Sequence, residues 1–300
     1  MKIRTNISLW LVLFCLALVQ QAGAQGPQDT VITLNVLHTN DTHSCVMPIN
    51  KNFADTALAD KGGYLRREAF VEQMRRKDAD LLLFDSGDFS QGSAYYNLFH
   101  GEVEVGLMNR MHYDAATIGN HEFDFGLENM KRIFEMAQFP IVCANYDFSK
   151  TILKDVVKPY TILHRKGMKI GVFGISPQLE GLVAKSSYGD VVYQDPVKVA
   201  NEVASHLKLQ ERCDLVICLS HLGWAIGNMN DEVLINNTRY IDMVLGGHSH
   251  TYFTTPLQVP NADGQPVICN QMGKSGRFVG SQIGRASCRE RVWRSVVGGE

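Results

Sequence analysis

Short apolar runs alternate with segments of helical period along most of this chain. "VITLNVLH" (31–38) reads as a strand, and "GGYLRREAFVEQMRRK" (62–77) places its apolar residues on one face of a helix. "LLLFD" (81–85) is a buried strand, "GEVEVGLMNRM" (101–111) a helix, "AATIG" (115–119) a strand, "LENMKRIFEMA" (127–137) a helix and "IVCAN" (141–145) a strand. "YTILHR" and "MKIGVFGI" form a predicted hairpin around Lys166-Gly167. A helix over 197–209 and strands over 214–220 and 242–247 follow. Strand runs this apolar, separated by helices, predict an α/β fold whose sheets are covered on both faces. No repeat, low-complexity segment or internal linker interrupts the series, so residues 25–282 are expected to form one domain.

The two ends depart from this pattern. Lys2 and Arg4, the apolar run "ISLWLVLFCLALV" and the small residues of "AGA" (22–24) have the order of a secretory signal over residues 1–24. The run is shorter than the roughly 18 residues that crossing a bilayer needs, so no stable membrane insertion is expected after its removal. The predicted location is periplasmic or secreted. At the other end, "IGRASCRERVWRSVVGGE" carries four arginines without hydrophobic period. One of its back-translations reads as a sequencing adapter in frame, and residues 283–300 are expected to be a non-native tail.

Composition narrows the function. The 300 residues are 45% hydrophobic and 20% charged, as in ordinary globular proteins. Without Lys2, Arg4 and the four tail arginines, 23 of 29 basic residues remain. Without Glu290 and Glu300, 29 of 31 acidic residues remain, a net charge of −6. Such a surface has no basic surplus to hold a nucleic-acid polymer. Cys45, Cys143, Cys213, Cys218 and Cys269 are odd in number and scattered. They read as small hydrophobes rather than a disulfide framework or a zinc ribbon.

Chemistry gathers where the strands end. Asp41 and His43 follow the first strand and Asp88 the second. Asn120, His121 and Asp124 follow the third, in "TIGNHEFDFG". His221 follows the strand at 214–220, and His248 and His250 the strand at 242–247. Loops at the carboxyl ends of strands in covered sheets are where ligands bind. Asp-x-His, Gly-Asp and His-x-His are common strings singly; five such loops in one chain point to a common pocket. His38, His100, His112, His164 and His206 lie outside these loops and read as ordinary core or surface groups. Carboxylate, imidazole and amide oxygen together suit divalent ions such as zinc or manganese. The candidate groups are too many for one ion. Two ions could clamp the attacking and leaving oxygens of an in-line displacement, and two dications against Asp41 and Asp88 leave a positive surplus that matches a phosphate dianion.

"LHTNDTH", "GD", "GNHEFD", "HLG" and "GGHSH" resemble the calcineurin-like metallophosphoesterases, in particular the secreted 5′-nucleotidase and UDP-sugar hydrolase group. The resemblance covers most of residues 31–250 and implies a two-sheet α/β/β/α sandwich. It implies that Asp41, His43 and His250 hold one metal, that Asp88 bridges, and that Asn120, His221 and His248 hold the second. His121 and Asp124 correspond to the catalytic pair: an imidazolium that stabilises phosphoryl charge or protonates the leaving oxygen, and the carboxylate that orients it. The same turn is placed to open the helix at 127–137. The implied reaction is release of phosphate from nucleoside 5′-monophosphates by water activated at the metal pair. A 2′,3′-cyclic-nucleotide phosphodiesterase, a UDP-sugar pyrophosphatase or a thiosulfate-ester hydrolase would use the same metals. An inactive metal-dependent nucleotide-binding protein is the alternative outside catalysis, although it would have no use for the His121–Asp124 pair. The family adds a C-terminal domain that sandwiches the nucleobase between aromatic residues. Nothing after residue 250 resembles it, so base recognition is expected from sequence beyond the suspect junction or from a separate partner chain.

Overall fold

The computed structural model describes residues 32–286 and 291–298. The signal reading of residues 1–24 lies outside the described residues, as do 287–290 and 299–300 of the suspected tail. Two sheets dominate. The first has five strands in the order β13-β12-β1-β2-β3: β1 Ile32–Thr39, β2 Leu82–Asp85, β3 Ala115–Ala116, β12 Val279–Ala286 and β13 Arg291–Gly298. The second has six in the order β10-β11-β9-β8-β6-β5: β5 Tyr160–Arg165, β6 Met168–Ile175, β8 Leu215–Ser220, β9 Met243–Leu245, β10 Leu257–Pro260 and β11 Pro266–Asn270. A small pair, β4 (Tyr146–Asp147) with β7 (Val192–Tyr193), stands apart.

Side-chain alternation assigns the layers. Leu34 and Val36 of β1 and Leu82 and Phe84 of β2 share one buried cluster with Ile170 and Val172 of β6, Leu215, Ile217 and Leu219 of β8, and Met243 and Leu245 of β9. That cluster is the apolar filling between two sheets packed face to face. The alternate residues point outward. Leu37 and Leu83 join Tyr64 and Val71 of α1 (Tyr64–Lys77), Val105 and Met108 of α3 (Glu102–Arg110), and Met130 and Ile133 of α4 (Gly126–Met136). Between α1 and α3 runs the short α2 (Ala94–Phe99). On the far side, Phe173, Val216, Cys218 and Val244 pack on Val199, Ala200 and Ala204 of α6 (Pro196–Ser205) and Leu234 and Ile235 of α7 (Asp231–Asn236). The one-turn α5 (Lys185–Tyr188) precedes α6. Three cores between four layers give the expected α/β/β/α sandwich.

Register brings the chemistry to one edge. β1, β2 and β3 run parallel, as do β6, β8, β9 and β11, with helical segments returning the chain between most neighbours. Thr39 therefore aligns with Asp85 and Asp85 with Ala116, while Leu219 aligns with Leu245. The loops that follow all leave the same rim.

Several expected boundaries shift. The strand at 115–119 keeps ladder pairing only at Ala115–Ala116, because residues 117–119 bend toward the rim; "IVCAN" makes single bridges rather than a strand. The helix expected over 197–209 ends at Ser205 and closes with a wider turn over His206–Gln210. The β10–β11 hairpin had no strong sequence signal, being short and partly exposed. β12 pairs antiparallel with β1, and its last residues, 283–286, fall in the suspected tail. Four of the five central cysteines are buried and Cys45 is partly buried; all five are free. Among the described residues no helix is long and apolar enough to cross a membrane.

Candidate metal centre and catalytic pair

The turns after β1, β2 and β9 are tight, and the side chains they carry point back over the sheet rim. Asp41, His43, Asp88, His248 and His250 all have left-handed backbone, with φ between 44° and 72°. Such a conformation costs an ordinary residue about 1–3 kcal/mol and is held in place by its surroundings, a pattern that accompanies function. The holding groups are visible. His43 N donates to Asp88 O at 3.0 Å, Asp41 N to Gly87 O at 2.9 Å, and His248 N to Asp41 Oδ2 at 2.9 Å. Three separate loops are thereby tied to one another through their ligand-type residues.

The predicted groups converge in two sets. Asp41, His43 and His250 form one, and Asp88, His221 and His248 the other, the candidate ligand atoms within each set lying within 4.8 Å of one another. His43 Nε2 and His250 Nε2 are 3.0 Å apart, and each faces Asp41 Oδ1, at 3.8 and 3.5 Å. His221 Nε2 is 3.1 Å from Asp88 Oδ2 and 3.9 Å from Asp41 Oδ1, so it joins the two sets. Its other nitrogen, Nδ1, sits 2.6 Å from the Ser86 carbonyl and must donate to it. That bond fixes the ring and aims Nε2 into the centre, as metal-ligating histidines are held.

The residues fit a pair of divalent cations. Asn120 Oδ1 is buried without a hydrogen-bond partner, and an orphaned buried acceptor of this kind needs an explanation. Asn120 heads the short 3-10 turn His121–Phe123, yet its side chain makes no capping bond. α4 likewise begins at Gly126 without a side-chain cap. The turn therefore precedes the helix and caps nothing, which leaves the amide oxygen free for the centre. Electrostatics agrees. Burial pushes the His43, His248 and His250 rings down to about 4, so each presents a neutral imidazole. Burial, with the Asp88 charge beside it, raises Asp41 to about 7. At His221 burial acts downward, but Asp88 outweighs it and holds the ring up at about 10. The same pairing overcomes burial at Asp88 and holds that carboxyl well below the usual range. Without cations the cluster thus retains protons between its carboxylates and rings, and bound dications replace them.

His121 and Asp124 sit at the mouth, about one-third exposed, with Nδ1 3.1 Å from Asp124 Oδ2. That hydrogen bond comes first among the causes that raise the ring above its ordinary value; burial opposes it. The His121 ring lies 5.5 Å from that of His43, and its backbone N–H donates to Asp88 Oδ1 at 2.9 Å. All nine predicted site residues thus meet on one rim, while His38 is a core histidine on Asn270, lowered to about 3 by burial.

Sequence reasoning missed the scaffold beneath them. Glu122 is fully buried, and its carboxylate accepts the N–H groups of Asp88, Ser90 and Gly119 at 3.0, 3.1 and 2.6 Å. Burial and the nearby Asp88 push it to about 7. Its place inside "GNHEFD" was the available signal. Asn40 spans two loops, donating to Asp41 Oδ2 at 2.6 Å and to Gly273 O at 2.8 Å while accepting from Met272 N at 2.8 Å. No local pattern announces contacts 232 or 233 residues apart. Glu122→Gln keeps the size but turns one acceptor oxygen into a donor facing N–H groups. The expected result is a loss of about 1–3 kcal/mol in stability, read from urea denaturation; an unchanged midpoint would remove Glu122 from the scaffold.

A two-sheet sandwich carrying two clusters of carboxylate and imidazole donors on one rim defines a class of metal-dependent phosphoester hydrolases. The model of the family described as "Calcineurin-like phosphoesterase" matches residues 34–252, and the chain belongs to that family. Its relatives include the "Trifunctional nucleotide phosphoesterase protein YfkN" of Bacillus subtilis, 31% identical over 85% of this chain and 18% of its own length. The "Snake venom 5'-nucleotidase" of Crotalus adamanteus is 30% identical over 90% of this chain and 47% of its own. Among solved structures, the 5'-nucleotidase precursor of Thermus thermophilus superposes with a TM-score of 0.78 at 27% identity, covering 89% of this chain and 55% of that one. The chain spans less than half the length of these two curated relatives.

Proposed function

We propose that the chain is the catalytic part of an exported two-metal phosphohydrolase that releases phosphate from nucleoside 5′-monophosphates. The observation that carries this reading is the placement of the His121–Asp124 pair beside two three-donor clusters joined through His221. Asp41, His43 and His250 would hold one divalent ion and Asn120, His221 and His248 the other, with Asp88 shared. When bound, the ions neutralise phosphoryl charge and lower the pKa of water to near neutrality. The chain's own residues do the rest. Asp124 keeps the proton on His121 Nδ1, so the imidazolium can give its Nε2 proton to the departing ribose oxygen and become neutral without losing its orientation. Asn120 offers a neutral oxygen, adding no charge to repel the phosphate. The signal-like first 24 residues support export, and the snake-venom relative is compatible with it.

A broader phosphoesterase is the second reading, favoured by similarity to the trifunctional nucleotide phosphoesterase of Bacillus subtilis. On this reading 2′,3′-cyclic nucleotides or UDP-sugars are taken by the same site. Phosphate release from AMP, UMP, UDP-glucose, 2′,3′-cyclic AMP and a nitrophenyl ester, each with and without chelator, decides between the two. The expected result is chelator-sensitive turnover that is fastest with the 5′-monophosphates. Faster turnover of the cyclic or sugar substrates would favour the broader reading. Chelator-insensitive hydrolysis would refute the two-metal site, and metal binding without turnover of any substrate would favour the inactive nucleotide binder.

A further inference from the structure

We infer that the cavity between the 59–63 loop and the 276–279 segment is a second anion site, suited to the phosphate group of a small molecule and separate from the metal cluster. The cavity measures about 310 Å³ and is lined by four cationic residues, Lys61, Arg66, Arg67 and Arg277, and one acid, Asp60, among others. That volume is at the lower end of small-molecule pockets, larger than orthophosphate alone requires.

Arg67 is the decisive residue. It is only 9% exposed, and its Nε has no hydrogen-bond partner. No salt bridge within 4.0 Å reaches its guanidinium among the described residues; its charge acts at longer range on buried Asp85, opposing the upward push of burial on that carboxyl. Candidate counter-ions are engaged elsewhere. Glu68 pairs with Arg110, and exposed Asp60 pairs with Arg66 at 3.1 Å. Asp85, behind the cavity, accepts Thr39 Oγ1 at 2.6 Å and Gly87 N at 2.9 Å. A buried charge with no anion in contact is costly, and an anion in the cavity would recover part of that cost.

The surroundings add to the positive field. α1 begins at the cavity wall: its N-cap is Gly63, no side chain caps it, and its first turn holds no acid. The positive end of a fourteen-residue helix therefore faces the same space as three guanidinium groups and an ammonium. Acids are favoured in a first helical turn; Asp60 answers Arg66 from outside the helix, but no acid in that turn answers Arg67. Gly276 lets the guanidinium approach closely, since a Cβ there would lie 2.8 Å from Arg67 Nη1. The wall is also tied to the first metal-ligand loop, because Ser275 N donates to Asp41 O at 2.7 Å.

The test is a calorimetric titration of the metal-loaded full-length chain with orthophosphate, at constant ionic strength set by chloride. Two phosphate sites are expected, one of them absent from Arg67→Met, while product inhibition of phosphate release is unchanged. Arg277→Met, at a partly exposed position, should weaken the same site about tenfold through loss of a charge-assisted bond, and it carries the test if Arg67→Met does not fold. A single site in the unmodified chain, or equal binding by the folded variants, overturns the inference. AMP titrated into chelator-treated protein identifies the source of the phosphate. Arg67-dependent binding of AMP makes a nucleotide the ligand, and binding of orthophosphate alone makes it free phosphate. Binding of neither in an Arg67-dependent manner counts against the site.

Discussion

His121→Ala is expected to retain both metals and lose most turnover. The ring reaches the cluster only at its mouth, 5.5 Å from the His43 ring, and its Nδ1 is committed to Asp124. Removing it takes away a proton donor and a positive charge beside the phosphoryl group, yet leaves each candidate ligand atom in place. General-acid contributions are typically about 10²–10⁴-fold in rate, so kcat should fall in that range while KM changes little. Metal content by plasma emission spectroscopy should equal that of the unmodified chain. Asp124→Asn offers a graded control: the amide can still accept from Nδ1 but no longer stabilises the imidazolium, and a smaller loss in kcat is expected. If His121→Ala loses metal in proportion to activity, the ring belongs with the ligands and its assigned role is wrong.

The difference between what the sequence disclosed and what it withheld follows from distance. A buried parallel strand announces itself by an apolar run, and the polar residues after it are placed at the sheet rim by topology alone. Thus Asp41, Asp88, Asn120, His221 and His248 could be read as a group without knowing any contact. The supporting groups have no such local mark. Glu122 looks like any glutamate in a turn until three backbone donors are seen around it. Asn40 is beside a predicted ligand, but its role depends on Met272 and Gly273, far along the chain. The shortened β3 has the same cause: residues expected to continue the strand are drawn toward Asp88 instead, with Gly119 N bound to Glu122. Arg67 was hidden for the opposite reason. In sequence it is one basic residue of an amphipathic helix, and only the fold reveals that it is buried with no counter-ion in contact.

Gly119 provides the sharpest test of the metal centre, because its substitution changes no ligand. A Cβ built there would lie 2.1 Å from Asp88 Oδ1 and 2.6 Å from Asp88 N, well inside van der Waals contact. The neighbour is a fully buried carboxylate on a left-handed turn, so it cannot yield without moving the loop. Gly119→Ala should therefore displace Asp88 from His221 and from the His121 N–H it accepts. Placement errors near 1 Å cost about 10²-fold in rate where geometry is the source of catalysis. Asp88→Asn changes the same position chemically, removing the negative charge while preserving its shape. Both variants are expected to lose phosphate release, and calorimetric zinc or manganese titration should find weakened binding in each. High metal concentration should recover part of the Asp88→Asn binding, since the remaining donors stay in register, but little of the Gly119→Ala activity. Full activity in Gly119→Ala would mean that Asp88 is not where the metals meet.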